Sequence, residues 1–561
     1  MSTEVTSIQQ KNNSFWSNWK KFWSEPGFAI LSLILALAIL FFIVAPVFAV
    51  LLRSFGIGAG TLTLDYYEQF FSTSLYLNSL WNSVSAAFIT TIVVIFLSTV
   101  FSLYVTRSHS FLAKSYRGAA LLPLVAPPFI FSLALIILFG SNGVITQFLN
   151  NWFGWEFSIY GYWGVVIAQI LAYFPVGFML IESTMRNMSP SLEQASSDLG
   201  AGQWRTLRKV VLPLAKSGII KAALLVFVMG LSDFSNPLII GESVPFLASE
   251  AYLTVVGQNN MELAAVLGVF LIIPSFIVFL FQTYFFKDAN LETISGESGG
   301  NNIPLTKPVK FVSSFISTLF VSFILLMFVM VVLGAFVNII GVDNSFTLDH
   351  FSGQTGWDTL NLSIIVSLLA ALLASGLGML QGFLLARKPI PGKKALEFLT
   401  LFGLAVPGTV MGIGYVLIFN GPPLFLTGTV LLLVLNMTFR KIGVGLEAGV
   451  SKMHQIDSSM EEASNDLGGG PYRTFLKIVM PLLSPAFISG FVYTFMTAMV
   501  SISSVIFIIA PGTNLAAVYI LDLASSARIG MASAMSFVLI VIVIACMGIL
   551  KLIEKRTGFK I

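Results

Sequence analysis

Met460–Pro481 reads MEEASNDLGGGPYRTFLKIVMP, and Leu192–Pro213 reads LEQASSDLGAGQWRTLRKVVLP. Of the 22 aligned positions 12 are identical, without a gap, at an offset of 268. Self-similarity at a fixed offset marks a chain built from two copies of one unit. The likeness extends outward. One apolar run ends in Arg107 and its counterpart in Arg387, and Pro127 and Pro407 hold matching places in the runs that follow. The loop is more alike between copies than the apolar runs are, whereas neutral loops vary faster than the elements they join.

The apolar runs decide the solvent. The chain has 561 residues, 56% hydrophobic and 10% charged, with a mean hydropathy of +0.89. A soluble domain carries about 25% charged residues, so much of this chain must lie in a bilayer. Runs of the ~20 residues a crossing helix needs fall near 29–52, 82–105, 119–139, 161–182, 217–240 and 263–286. Six more fall near 311–340, 362–386, 395–419, 428–450, 485–510 and 530–552. With the N-terminus cytoplasmic, 26 of the 30 Lys and Arg lie on the inner side. Only Arg53 and Arg528 lie outside, while Arg440 and Lys441 fall within a span. Cytoplasmic loops collect Lys and Arg, so the expectation is an all-α polytopic membrane protein. It has 12 spans in two parallel repeats of six, and both termini are inside.

The expected organisation is a cytoplasmic or interfacial segment 1–28, a first half 29–286, a linker 287–310 and a second half 311–561. In the first segment Phe15, Trp16, Trp19, Phe22 and Trp23 recur at helical spacing around Lys20 and Lys21, as in a helix lying in the membrane interface. The alternative is a tail without structure. No cleavable signal is expected, since the first apolar run is too long for one. The single Cys546 allows no intrachain disulfide.

Each repeated loop, 190–213 or 458–481, falls between the fourth and fifth span of its half. Ser458 and Glu461 have the spacing of a capping box, and Ser189 before Pro190 suits a helix start. The short helices run to Leu199 and Leu467. Gly200 and Gly468 stand where a left-handed residue ends a helix, and Gly202 and Gly470 keep the turn tight. A second, basic helix is expected from Arg205 or Arg473, ending before Pro213 or Pro481. Two such matched stubs on the inner face call for a partner.

Both loops resemble the EAA loop of binding-protein-dependent ABC importer permeases: E-A-A, three residues, G, nine residues, I-x-L-P. The pattern falls on Glu462, Ala463, Ser464, Gly468, Ile478, Met480 and Pro481, and on Gln194, Ala195, Ser196, Gly200, Val210, Leu212 and Pro213. Gln194, the two serines, Val210 and Met480 depart from it, and Glu193 and Glu461 offer acid one residue earlier. The resemblance covers about 80–286 and 360–552. It implies a type I importer fold with two coupling helices, each docked on one copy of a separate ATPase. Glu193, Gln194, Ala195, Asp198, Gly200, Gly202 and Arg205 would form one contact. Glu461, Glu462, Ala463, Asp466, Gly468, Gly470 and Arg473 would form the other. It further implies an extracytoplasmic solute-binding protein, with ATP and Mg held by the ATPase and no cofactor in this chain. The fused layout and the runs around LSDFSNP and SISS look most like the Fe(III) importer group. They are also similar to 2-aminoethylphosphonate permeases, and thiamine permeases share the fused layout.

The residues themselves agree with a non-enzymatic chain. No G-x-x-x-x-G-K-[ST] phosphate loop occurs. His109, His350 and His454 are isolated, and no cluster has metal-ligand spacing. Nothing points to nucleic acid; membrane lipids are the surrounding partner. Charges inside spans are expensive and mark candidate pathway positions. They are Asp233, beside Asn236 in the outer part of the fifth span, and Arg440 in the tenth. Ser501, Ser503 and Ser504 interrupt the eleventh. Asp233 and Arg440 would border the path and attract one another or a polar solute. The bland alternatives are a helix cap at Asp233 and snorkelling of Arg440 and Lys441. An ion-coupled secondary transporter is the rival class, but it needs no paired stubs and would show matched acids in both halves. A channel or scaffold is a third class, and no filter-like ring supports it.

Overall fold

The computed structural model describes residues 22–57, 60, 62–108, 111–155, 157–285 and 305–557. Phe15, Trp16, Trp19, His109 and most of the expected linker lie outside the described residues. Among those described, ten helices are long and apolar enough to cross a membrane. They include Pro26–Ser54, Ser74–Arg107, Tyr162–Arg186 and Gln203–Leu231 in the first half. Their counterparts in the second are Lys307–Phe336, Gln354–Arg387 and Pro471–Met499, with Val430–Met453 at the tenth expected position. That last helix has 24 residues, but Arg440, Lys441 and Glu447 set it apart from the ten.

The ninth expected span is not one straight rod. Lys393–Ala405 and Gly408–Phe419 meet at 107°. Pro407 lies between them; its ring fixes φ, it donates no amide, and it pushes Val406 out of the helical region. The third expected span breaks at the corresponding place. Phe111–Leu121 passes into a tight turn over Leu122–Val125, and a new helix starts at Ile130. Pro123, Pro127 and Pro128 fall in that interval.

The fifth and eleventh spans also differ from expectation. The basic helix after each repeated loop does not stop before Pro213 or Pro481 but continues into the membrane as Gln203–Leu231 and Pro471–Met499. A π turn, Leu207–Val211 or Phe475–Val479, precedes each proline. Its wider bonding, with Leu212 N–H reaching the Leu207 carbonyl, lets the helix pass a residue that cannot join the normal ladder.

The two halves exchange their first helices. Pro26–Ser54 packs on the second half: Phe42 stacks on Phe439 at 4.6 Å, and Tyr415 donates its hydroxyl proton to the Phe42 carbonyl at 3.0 Å. Lys307–Phe336 packs on the first: Phe320 meets Phe174 at 4.5 Å, and the Tyr116 and Thr318 hydroxyls bond at 2.8 Å. One apolar core runs through both halves. Phe48, Trp81, Phe88 and Phe96 stay exposed on helix sides, as lipid-facing positions require.

Candidate coupling hairpins and membrane path

The short helices Pro190–Asp198 and Ser459–Asp466 end one residue before a peak of exposure. Leu199 and Leu467 are 88% and 89% exposed. The next residues, Gly200 and Gly468, have φ of +76° and +79°, where a side chain would be strained. The turn returns through Ala201 N–H to the Ser196 carbonyl, and through Gly469 N–H to that of Ser464. Gly202 and Gly470 instead have φ of −62° and −68°, which any residue adopts, and a Cβ at either would stand in open space, so backbone strain does not set these two glycines as it sets Gly200 and Gly468.

A hydroxyl pair closes each hairpin: Ser196 with Thr206 at 2.9 Å, and Ser464 with Thr474 at 2.8 Å. The serines that depart from the EAA pattern are therefore half of a matched clasp. The capping-box expectation is corrected. Glu461 turns away from the helix start, and Asp457 Oδ1 accepts the Ser459 amide at 2.9 Å instead. That bond, with the Ser459 side chain, holds the Asp457 carboxyl below its usual range. Ser189 occupies the cap position, but its hydroxyl pairs with that of Ser191 at 2.6 Å.

Glu461 goes to an arginine. Arg387, the last residue of Gln354–Arg387, donates Nε to it at 2.7 Å and Nη2 to the carbonyls of Met453 and Ile456. Arg107, at the end of Ser74–Arg107, holds Glu193 through both Nε and Nη2. The first pair is more buried, with side chains 2% and 5% exposed against 22% and 17% for the second. Gln194, Ala195, Asp198 and Arg205 stay exposed, as do Glu462, Ala463, Asp466 and Arg473. Each hairpin thus has an inner acid tied to the membrane helices and an outer face left open. The sequence reading missed the arginines, the Ser–Thr clasps and the leucine tips. The repeat of Arg107 and Arg387 as the last residue of two matching apolar helices was the signal available.

The inner ends carry a further tie. Phe28 stacks on Tyr472 at 4.8 Å, and Glu25 pairs with Lys388. On the other side the Gln203 amide oxygen accepts from Thr306 N–H. The start of each exchanged helix therefore rests on the other half's hairpin.

Of the candidate path residues, Asp233, Ser501, Ser503 and Ser504 fall at helix breaks, whereas Asn236 lies in the short helix Ser235–Ile240 and Arg440 within Val430–Met453. Gln203–Leu231 ends before Asp233, and Pro471–Met499 ends before Ser501. Asp233 caps the short helix Ser235–Ile240. Its carboxylate accepts from Ser235 N–H and Oγ at 3.2 Å each, Asn236 N–H at 3.3 Å and Asn236 Nδ2 at 2.7 Å. Ser132 donates to Asn236 Oδ1 at 2.7 Å. No ion pair among the described residues joins Asp233 to Arg440. The expected ion pair is not formed, and the acid takes its donors from the turn it caps. Arg440 instead donates to Ser504 Oγ at 3.0 Å, and Ser504 donates to Asn436 Oδ1 at 2.7 Å. Ser501 and Ser503 are half-buried beside them. Beyond the breaks Tyr252 of the first half meets Phe507 of the second at 5.7 Å, joining the halves at that end.

The chain is 33% identical over 539 residues to the ferric transport system permease protein FbpB of Actinobacillus pleuropneumoniae. That alignment covers 92% of this chain and 76% of the relative. It is 28% identical to the putative 2-aminoethylphosphonate transport system permease protein PhnV of Salmonella paratyphi A, over 39% of this chain and 83% of that protein. Among solved structures, a bacterial alginate ABC transporter bound to its alginate-loaded periplasmic protein matches with a TM-score of 0.41 and 14% identity, over 49% of this chain and 98% of that one. The family described as "Binding-protein-dependent transport system inner membrane component" matches residues 98–290 and 374–559. Those two stretches contain both hairpins, both helix breaks and most of the two repeats, and the chain accordingly belongs to this family: it is a multi-pass inner-membrane permease of an ABC importer, a transport protein and not a catalytic enzyme.

Proposed function

We propose that this chain forms the solute path of an Fe(III) importer and takes its driving force from a separate ATPase. The observation that carries the coupling is the repeated hairpin, with an exposed leucine at its tip and an acid bonded to an arginine at the end of a membrane helix. Glu193 and Glu461 belong to the anchor. Gln194, Ala195, Asp198, Arg205 and their counterparts Glu462, Ala463, Asp466 and Arg473 belong to the docking face. Two copies of the ATPase, holding ATP and Mg, seat one hairpin each. A solute-binding protein delivers the cargo on the opposite side, and both chain termini are cytoplasmic. Fe(III) is favoured because the ferric permease is aligned along one continuous fused chain, not along one half.

Leu199 and Leu467 touch little of their own chain, so changing them leaves the fold alone. The double variant Leu199→Ser, Leu467→Ser is expected to retain wild-type expression. It should lose co-purification of the ATPase by at least about tenfold, the effect of removing ~1.4 kcal/mol of interface energy. Full retention of the ATPase would remove the hairpin tips from the interface. For the cargo, the cognate binding protein is expected to retain Fe(III); retention of a phosphonate instead would replace the cargo and leave the coupling untouched.

A further inference from the structure

The second half gathers hydrogen-bond donors deep in the bundle without acceptors to match. Arg440 lies near the middle of Val430–Met453. Its Nη1 is used by Ser504, whose own proton goes to Asn436. Arg440 Nε and Asn436 Nδ2 are buried and have no partner. Asn436 is fully buried, so no bulk water satisfies its amide.

A helix starts beside the guanidinium. Arg440 Nη2 lies 3.1 Å from where a Cβ on Gly408 would stand, and Ser503 Oγ lies 1.8 Å from the same point. Only glycine at 408 admits both groups to the first turn of Gly408–Phe419. The first amide that turn uses internally is that of Met411, to the Pro407 carbonyl. The amides before it stand outside the helix ladder and carry its positive end. The Thr409 hydroxyl is also buried without a partner. A charge inside a membrane span with no counter-charge is costly. Among the described residues Arg440 has no carboxylate partner. The first half has Ala172 and Ala168 at the positions of Arg440 and Asn436, so this donor cluster is one-sided.

We propose that Arg440, Asn436, Ser503 and the first turn of Gly408–Phe419 form an oxyanion-binding site midway along the path. This rests on the importer reading and narrows its cargo. A guanidinium presents two parallel donors to one oxyanion, and the start of a broken membrane helix supplies more. A bare ferric ion would be repelled here. Fe(III) passes only with anionic ligands whose oxygens face the donors, and a phosphate or phosphonate passes by the same contacts.

The test is thermal unfolding of the purified full-length chain in nanodiscs, with inorganic phosphate, citrate or ferric citrate added at matched ionic strength. The wild type is expected to gain a saturable rise in midpoint. Asn436→Leu and Arg440→Gln should lose it, and Arg528→Gln, exposed and away from the site, should keep it. If Arg440→Gln does not fold, Arg440→Lys takes its place and is expected to bind at least tenfold more weakly. A rise with phosphate or citrate alone makes the free oxyanion the ligand; a rise confined to ferric citrate makes it the metal-borne one. No saturable rise with any probe, or an undiminished rise in the site variants, overturns the proposal. ATP-driven uptake by the same variants, reconstituted with the ATPase and the binding protein in proteoliposomes, separates the two readings. Normal uptake without anion binding sinks the site and spares the importer, whereas ATP-independent uptake sinks the importer itself.

Discussion

Arg107→Ala is expected to abolish ATP-driven accumulation of solute, while Arg387→Ala reduces it only several-fold. Both arginines hold the acid of a hairpin, but their surroundings differ. The Arg107–Glu193 side chains are 2% and 5% exposed. Removing the guanidinium leaves a buried carboxylate without its partner, a loss of about 3–5 kcal/mol. Arg387–Glu461 is reached by water, at 22% and 17% exposure, and such a pair is worth nearer ~1 kcal/mol. Arg387 also holds the carbonyls of Met453 and Ile456, so its loss still loosens the second hairpin. The distinguishing readout is the ratio of solute moved to ATP hydrolysed in proteoliposomes. A loosened hairpin lets the ATPase turn over without moving the membrane helices, so that ratio falls while hydrolysis persists. The double variant Arg107→Met, Glu193→Gln removes both charges and should regain most of the stability without regaining the ratio. Equal transport ratios in Arg107→Ala and wild type would show that the pair carries no force.

Gly445→Leu is expected to prevent the second half from assembling, and Gly445→Ala to cost on the order of 3 kcal/mol. The helices Gln354–Arg387 and Val430–Met453 touch backbone to backbone through two glycine pairs. A Cβ on Gly378 would meet the Ile442 carbonyl oxygen at 2.4 Å, and one on Gly445 the Ala374 carbonyl oxygen at 2.7 Å. One turn further, Gly382 faces Val450 N at 2.9 Å and Gly449 faces Met379 Cα at 3.0 Å. Small residues four apart let membrane helices approach this closely, and backbone cannot move aside as a side chain does. The first half offers the control. A Cβ on Gly177, the counterpart of Gly445, meets the side chains of Val94 at 2.9 Å and Ser98 at 3.0 Å. Gly177→Ala should therefore lower the unfolding midpoint by clearly less than Gly445→Ala. Equal losses would show that the glycine contact between the second-half helices is not what holds them.

The duplication and the hairpins were legible in the sequence because they rest on local patterns: identity at a fixed offset, and glycine at the end of a short helix. The break at Pro407 was visible as a residue but not as an event, since apolar composition alone cannot tell a straight span from a bent one. The passage through Pro213 and Pro481 was hidden because proline usually ends a helix, and only the preceding π turns accommodate it. Asp233 read equally as a pathway charge or a cap; the capping bonds come from Ser235 and Asn236, within three residues, and which donors it takes was not legible from composition. The pairing of Arg107 with Glu193 could not be seen from spacing, because the partners are 86 residues apart. Its double occurrence was the clue. The donor cluster at Arg440 needed the fold, since it joins Val430–Met453, the break after Met499 and the start of Gly408–Phe419.

The hairpin tips are expected to lie in the cytoplasm and to be covered by the ATPase. Cys546 is the chain's single cysteine, so Cys546→Ser clears the background for Leu199→Cys and Leu467→Cys. A membrane-impermeant thiol reagent is then applied to inside-out and right-side-out vesicles, with and without the ATPase. Both tips should be labelled in inside-out vesicles only, and both should be protected when the ATPase is bound. Labelling in right-side-out vesicles, or labelling unchanged by the bound ATPase, would contradict this placement of the tips.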